Sequence, residues 1–171
     1  MDQQALQTEF DKTSEELISL LSSFDQEQIN VKPTGGGWSA AQVGDHLLQS
    51  YGVADTLKGK VSETTRPAGE KAEILKSIFL DFSTKFESPD FIIPTEKPID
   101  KNQLLQGLRE QFYQMRQVLT TEDLSLTCHD FVLPQIGELT RYEWLVFVMV
   151  HTQRHIHQIK QLQESKVASV N

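Results

Sequence analysis

Hydrophobic residues recur every three to four positions in four long segments of the chain, which is the spacing of an α-helix with one buried face. The segments run over residues 6 to 24, 40 to 60, 101 to 119 and 141 to 163. In the third segment the apolar positions are Leu104, Leu108, Phe112, Met115 and Leu119. We therefore predict four long amphipathic helices.

A shorter helix is predicted over residues 71 to 86, inside the connection between the second and third long helices. The pattern requires no strand, although the apolar runs at 91 to 93 and 131 to 133 could form short ones. Four long helices with one insertion predict an all-α fold, a four-helix bundle. The length is that of one domain, over residues 1 to 171.

Three of the helix starts share a capping signature, in which a short polar residue precedes Gln or Glu by three positions. Its first side chain can accept from the helix backbone, and the second can reach back to the cap's own N–H. The pairs are Ser39 with Gln42, Asp100 with Gln103, and Thr140 with Glu143. These pairs place helix starts near residues 40, 101 and 141.

The composition excludes several classes of protein. A net charge of −8 disfavours binding to phosphate backbones, so we expect no nucleic-acid partner. The single cysteine, Cys128, cannot form an internal disulfide, which favours a cytoplasmic protein. No apolar run reaches the roughly 20 residues that cross a bilayer, and no basic segment leads into an apolar one at the start, so we expect neither membrane insertion nor export.

Three histidines interrupt the apolar start of the fourth helix, in the run VMVHTQRHIHQ over residues 148 to 158. At 100° per residue, His151 and His155 lie about 20° on either side of Trp144, on the buried face. Their Cβ atoms should be roughly 6 Å apart, so both imidazoles can reach one ion. His157 falls on the solvent side, and we interpret it as a surface residue.

A third inward histidine, His46, lies on the buried stripe of the second helix. A bundle can bring that helix beside the fourth, so His46, His151 and His155 are predicted to hold a divalent metal ion. Three neutral imidazoles suit zinc, nickel, cobalt, iron or copper, and manganese is a further candidate. They also leave a coordination position for water or substrate. The alternative is that they are hydrogen-bonded core residues.

Other polar residues are predicted to lie outside the metal site or on its flank. His129 is expected in a loop away from the site, and Cys128 to be a small side chain rather than a nucleophile. For Arg154 we expect a salt bridge on the helix flank or, alternatively, an anchor for an anionic substrate. Asp45 points about 100° away from His46, and Glu143 is a capping residue. No catalytic base is therefore identified, and no zinc-protease, di-iron, phosphate-loop or serine-hydrolase motif occurs.

Two stretches resemble the DinB-like superfamily. Residues 133 to 162, LPQIGELTRYEWLVFVMVHTQRHIHQIKQL, are similar to its last-helix signature, and residues 36 to 50, GGWSAAQVGDHLLQS, to its second-helix signature. The resemblance implies an up-down-down-up four-helix bundle, in many members a homodimer, with a divalent metal on three histidines. These fall on His46, His151 and His155.

The resemblance also implies a choice of reactions, since the superfamily includes metal-dependent thiol transferases and isomerases. We expect a metal-dependent enzyme that transfers a low-molecular-weight thiol to a small-molecule electrophile. A bound metal stabilises a thiolate without help from a protein base. The alternatives are a metal-dependent hydrolase and a non-catalytic metal- or ligand-binding dimer.

Overall fold

The computed structural model describes residues 2–168, and helices dominate this part of the chain. The α-helices are α1 (Gln3–Ser22), α2 (Ala40–Ser50), α3 (Val53–Lys58), α4 (Ala72–Phe79), α5 (Lys101–Thr121) and α6 (Arg141–Ala168). Short 3-10 helices occupy Gln28–Asn30 and Asp90–Ile92. Two short strands, β1 (Val61–Ser62) and β2 (Thr127–Cys128), pair antiparallel. No helix among the described residues combines the length and apolarity needed to cross a membrane.

The predicted helices are confirmed, but the second is broken in two, the short one ends earlier than predicted, and α6 extends to Ala168. The second predicted helix breaks into α2 and α3 at Gly52, a poor helix former. The break leaves the ring of Tyr51 fully buried, with its hydroxyl bonded to Thr152 of α6. The short helix ends at Phe79, because Asp81 accepts hydrogen bonds from the residues that follow it and so favours a turn.

The short strands do not form where apolar runs suggested them. Residues 90–92 form a 3-10 helix, and Leu133 makes only an isolated bridge to Gly137. Gly137 has φ of 90°, a conformation that glycine adopts without strain, and it closes the turn before α6. The paired strands instead tie residues 61–62 to residues 127–128.

Helices α1 and α6 run in the same direction. Gln153 of α6 bonds to Glu9 in the first half of α1, and Gln163 further along α6 bonds to Ser23 just past its end. Helix α5 runs opposite to both, since Gln3 at the start of α1 bonds to the carbonyl of Leu119 near the end of α5.

Helix α2 runs parallel to α5, and two glycines permit their close approach. A Cβ at Gly44 of α2 would lie 2.9 Å from Leu104 of α5, and one at Gly107 of α5 would lie 3.0 Å from Leu48 of α2. The directions of α1, α2, α5 and α6 are therefore up, down, down and up, as the family resemblance implied. Helices α2 and α6 are neighbours that run in opposite directions, and their inward faces meet in the core.

The three predicted helix starts are confirmed; the reciprocal pair of capping bonds forms on α2 and α6, and on α5 the bond from the helix backbone to the cap side chain forms. Ser39 and Gln42 form a reciprocal capping box on α2, and Asp100 accepts from Gln103 N at 2.8 Å on α5. On α6, Glu143 N donates to the Thr140 hydroxyl, and Thr140 N donates to Glu143. These bonds satisfy backbone donors that no helical partner reaches.

Glu143 does more than cap α6. Its side chain is fully buried and accepts two 2.6 Å bonds from Arg66, one 2.8 Å bond from Lys71 N and one from Thr140 N. Burial would raise the pKa of Glu143, but these donors, with Arg66 foremost, hold it below its ordinary value. Glu143 therefore joins the segment before α4 to the start of α6.

Replacing Glu143 with alanine should destabilise the protein by about 2–4 kcal/mol, because it leaves Arg66 without its carboxylate and two backbone donors unpaired. The matched control is Glu122→Ala, whose half-exposed carboxylate lies 3.3 Å from Arg141 and should contribute less than about 1 kcal/mol. Urea denaturation of both variants provides the comparison. Equal losses of unfolding free energy in the two would contradict a structural role for the buried pair.

Candidate metal centre

The three predicted ligands lie together in the core between α2 and α6. His46 is on α2, and His151 and His155 are one turn apart on α6. Their exposed fractions are 2%, 7% and 8%, so all three are buried. His151 Nε2 is 3.3 Å from His46 Nε2 and 3.0 Å from His155 Nε2, and one nitrogen from each ring lies within 4.8 Å of those from the other two.

Outer hydrogen bonds determine which ring nitrogens carry protons. His46 Nδ1 lies 2.9 Å from the carbonyl oxygen of Ile92, and His155 Nδ1 lies 2.9 Å from Oε1 of Gln158. Because both oxygens accept, both Nδ1 atoms must donate, and the two neutral rings present lone pairs on Nε2. These lone pairs point at His151 Nε2, which can donate a normal hydrogen bond to only one of them.

The donor set fits a metal ion. Two imidazole nitrogens bound to one ion at about 2.0–2.1 Å, with tetrahedral or octahedral angles, are roughly 2.9–3.4 Å apart. The contacts of 3.3 and 3.0 Å fall in that interval. In metal-binding histidines, the ring nitrogen that does not bind the metal commonly donates to an oxygen atom. The Nδ1 atoms of His46 and His155 do this with Ile92 and Gln158. The three histidines can therefore hold a divalent cation, with at least one position left for another ligand.

Burial keeps the three imidazoles neutral. Desolvation is the main cause that lowers the pKa of His46, and it lowers the pKa of His151 well below the ordinary value. For His155, desolvation and then the nearby His46 lower the pKa to about 3. Neutral imidazole is the form that binds metal, so protons compete weakly for these nitrogens at neutral pH.

Aromatic side chains surround the histidines. The ring of Trp38 lies 5.0 Å from that of His46, and Phe147 stacks on His151 at 5.4 Å with an interplanar angle of 13°. Phe79, at the end of α4, meets His151 edge-on at 5.7 Å. The half-buried rings of Trp38, Phe79 and Phe147 form an apolar wall, which limits access of water to the ligand nitrogens.

No carboxylate joins the histidine group among the residues that the structure describes. Asp45, the neighbour of His46, accepts from Gln49 and from the backbone N–H of Thr95. Glu143 is held by Arg66. Both acids therefore have other hydrogen-bonding partners, and the expectation that neither serves as a base stays a prediction.

The salt bridge predicted for Arg154 does not form in the described part of the chain, and its alternative role as an anchor for an anionic substrate stays a prediction. Its guanidinium donates to the main-chain carbonyls of Phe79, Asp81 and Thr84, and lies 4.7 Å from the ring centre of Phe86. Helix propensity favoured a longer α4, but Arg154 satisfies carbonyls that the end of that helix leaves unpaired. It thereby attaches the segment after α4 to the ligand-bearing helix.

The remaining predicted side chains lie apart from the three histidines. His157 is half-buried rather than fully exposed, because its ring stacks on Phe82 at 4.2 Å. His129 is an exposed loop residue, as expected. Cys128 is buried, and burial raises the pKa of its thiol to about 11, so it is not a nucleophile at neutral pH.

Sequence reasoning missed the residues that orient the ligands. Gln158 lies one helical turn after His155, and this spacing could have identified it. The carbonyl of Ile92 could not have been found, because a backbone oxygen leaves no mark in the sequence and lies 46 residues from His46.

Comparisons with known proteins agree with this architecture. The family described as the DinB superfamily matches residues 9–159. The uncharacterized protein YuaE of Bacillus subtilis (strain 168) is 29% identical over 160 residues, covering 91% of this chain and 95% of that protein. The structure of YfiT from Bacillus subtilis superposes with a TM-score of 0.60 at 20% identity, covering 96% of this chain and 87% of that one. YfiT is described as a probable metal-dependent hydrolase with an unusual four-helix bundle topology.

Proposed function

This chain belongs to the DinB superfamily, and we propose that it is a metal-dependent enzyme whose ion is held by His46, His151 and His155. The convergence of their three Nε2 atoms, with two lone pairs aimed at the third ring, carries this proposal. Neutral hydrogen-bonded core histidines would gain nothing from opposed lone pairs, whereas a cation would bind all three.

The reaction that best suits this site is transfer of a small thiol to an electrophilic substrate. A bound divalent ion would supply a Lewis acid that stabilises the thiolate. The thiol sulfur then forms a bond to the electrophilic carbon, the leaving group departs, and the thiol proton passes to solvent. This chemistry needs no protein base, and no carboxylate joins the histidine group in the described residues.

The chain's own residues have distinct parts in this proposal. The three histidines hold the ion, while Ile92 and Gln158 fix the rotation of two imidazole rings. The wall of Trp38, Phe79 and Phe147 offers an apolar surface to a small electrophile.

A second candidate is metal-dependent hydrolysis, which is favoured by the description of YfiT, a protein of the same fold. In that reaction water would replace the thiol as the nucleophile. The homodimer implied by the family stays a prediction.

We expect the metal-loaded protein to accelerate conjugation of glutathione, bacillithiol or mercaptoethanol to monochlorobimane at pH 7. At pH 7 a free thiol with pKa about 8.5 is only a few per cent ionised. Full ionisation alone should therefore raise the conjugation rate by about 30-fold over the rate with the metal-free protein. Zinc, nickel, iron, manganese and cobalt are loaded separately, and product is followed by fluorescence.

The control is His157→Ala, which alters α6 two residues after His155 without removing a predicted ligand and should retain the rate. Metal-dependent cleavage of esters or amides without any thiol would instead support the hydrolase. A fully loaded protein that performs neither reaction across the panels would indicate a binding protein.

A further inference from the structure

A polar pocket lies apart from the candidate metal centre, and none of the three histidines lines it. Its volume is about 360 Å³, and its wall combines β1 with the residues that follow it, the start of α4, and the turn before α6. The lining residues include Lys71, Arg66, Thr64 and Thr127. The volume suits a small organic molecule.

One side of this pocket carries a chain of three hydrogen-bonded side chains. Ser62 Oγ lies 2.8 Å from His129 Nε2, and His129 Nδ1 lies 2.8 Å from Glu138 Oε1. An ionised carboxylate only accepts, so Nδ1 carries the proton and Nε2 presents its lone pair to the Ser62 hydroxyl. The hydroxyl also lies 3.4 Å from the carbonyl of Glu63, a longer and therefore weaker contact.

The backbone holds these residues in place although they are distant in sequence. Ser62 pairs with Thr127 in the β1–β2 ladder, and His129 N donates to the carbonyl of Lys60 at 3.0 Å. Glu138 lies in the turn before α6, where its own carbonyl accepts from the Lys71 ammonium at 2.8 Å. The relative positions of Ser62, His129 and Glu138 thus depend on main-chain contacts.

Within the described part of the chain, the ammonium group of Lys71 in the pocket wall has an N–H group that is free to bind a ligand. The other cationic side chain of the wall, Arg66, donates hydrogen bonds to Glu143. Lys71 Nζ donates to two carbonyls and has no carboxylate partner within the described residues, so one of its three N–H groups is left for a ligand. A carbonyl oxygen that becomes negative, or a carboxylate on a substrate, would be stabilised beside it.

We propose that this pocket is a second catalytic site, an esterase site with Ser62 as nucleophile, His129 as base and Glu138 as the group that orients the imidazole. Nucleophile, base and orienting acid within hydrogen-bond reach are the geometric requirement of this chemistry, whatever the order of the residues in the chain. The substrate class is a small polar ester that carries a negative charge, because the wall is rich in hydroxyls and holds Lys71.

The reaction is a balanced hydrolysis in two steps. Ser62 Oγ bonds to the ester carbonyl carbon while its proton passes to His129 Nε2. The bond to the alcohol oxygen breaks, and the alcohol leaves with that proton. Water then attacks the acyl group, gives a proton to His129, and releases the acid as Ser62 Oγ recovers the proton. No metal takes part, so the site is independent of His46, His151 and His155.

The test uses the full-length protein and a fluorophosphonate probe, in which the serine oxygen displaces fluoride from phosphorus. We expect one adduct, located at Ser62 by peptide mass spectrometry and lost in Ser62→Ala. The labelling rate should fall about 10²-fold in His129→Gln, the contribution of a positioned base. A chelator should leave the rate unchanged. The matched control, Ser77→Ala, removes an exposed hydroxyl whose bond, within the described residues, is to the Ile74 carbonyl in its own helix, and it should label normally.

Hydrolysis of nitrophenyl hemisuccinate, measured beside nitrophenyl butyrate, checks the substrate class, and the anionic ester should be preferred. Absence of an adduct at Ser62, or equal labelling of His129→Gln and the wild type, would overturn the proposal and leave the bridge of Ser62, His129 and Glu138 as a structural link. Circular dichroism of each variant ensures that lost labelling reflects lost chemistry.

Discussion

Replacing His46 with alanine is expected to remove the metal from the protein. His46 is the only contribution of α2 to the histidine group, and without it two imidazoles on one helix remain. Loss of an outer-shell partner costs about 10–100-fold in metal affinity, and loss of a direct ligand should cost more than that. Elemental analysis of protein purified without chelator, and calorimetric titration of zinc and nickel into the metal-free form, measure the change.

His157→Ala is the matched control for this experiment. It removes an imidazole from the same helix, two residues after His155, that stacks on Phe82 and does not belong to the histidine group. It should bind metal as the wild type does. If His46→Ala keeps its helical content and binds zinc and nickel with unchanged affinity, the three histidines are core residues, and the proposed metal-dependent function is wrong.

Acidification should destabilise the metal-free protein well before its carboxylates are protonated. The pKa of His155 falls from 6.5 to about 3 on folding, and those of His46 and His151 are also lowered, chiefly by desolvation. Between those values the unfolded chain binds more protons than the folded one, so stability is present above pH 6.5 and is lost as the pH falls. From pH 6.5 to about 4.5, His155 alone should cost roughly 2–3 kcal/mol.

In this pH range the loss of stability comes from the histidines and not from the carboxylates. The lowered pKa of Glu143 lies below 4.5, so its stabilising hydrogen bonds are lost only at lower pH. Urea denaturation of the protein kept metal-free by a chelator, at several pH values, gives the change of unfolding free energy with pH. A His155→Gln variant, which lacks one strongly shifted group, should show a smaller change. A stability of the wild type that is constant from pH 6.5 to 4.5 would show that these imidazoles titrate normally.

Local patterns were sufficient for the helices and for the faces on which the histidines lie. The helical repeat of 100° per residue relates each side chain to its neighbours without reference to the rest of the fold, which places His151 and His155 on the core face. The caps at Ser39, Asp100 and Thr140 are equally local, since each acts within three residues. The topology came from the family resemblance, because periodicity alone does not choose which helices are neighbours.

Details that depend on contacts between distant segments were not predictable in the same way. The ends of α2 and α4 carry local signals at Gly52 and Asp81, but the contacts that hold these ends in place, from Tyr51 to Thr152 and from Arg154 to the carbonyl of Asp81, lie across the bundle. The strands formed between residues 61–62 and 127–128 instead of in the more apolar runs, because pairing requires a partner strand at the right place.

The sequence by itself determined an all-α bundle and three inward histidines, because helix period, caps and burial are encoded within a few turns of chain. Only the tertiary structure decided that His46 meets His151 at 3.3 Å, that the Ile92 carbonyl orients it, and that Ser62 meets His129 across 67 residues. The physical reason is that hydrogen bonds reach about 3 Å. Contacts of that range depend on how helices and turns pack in three dimensions, and spacing along the chain does not specify them.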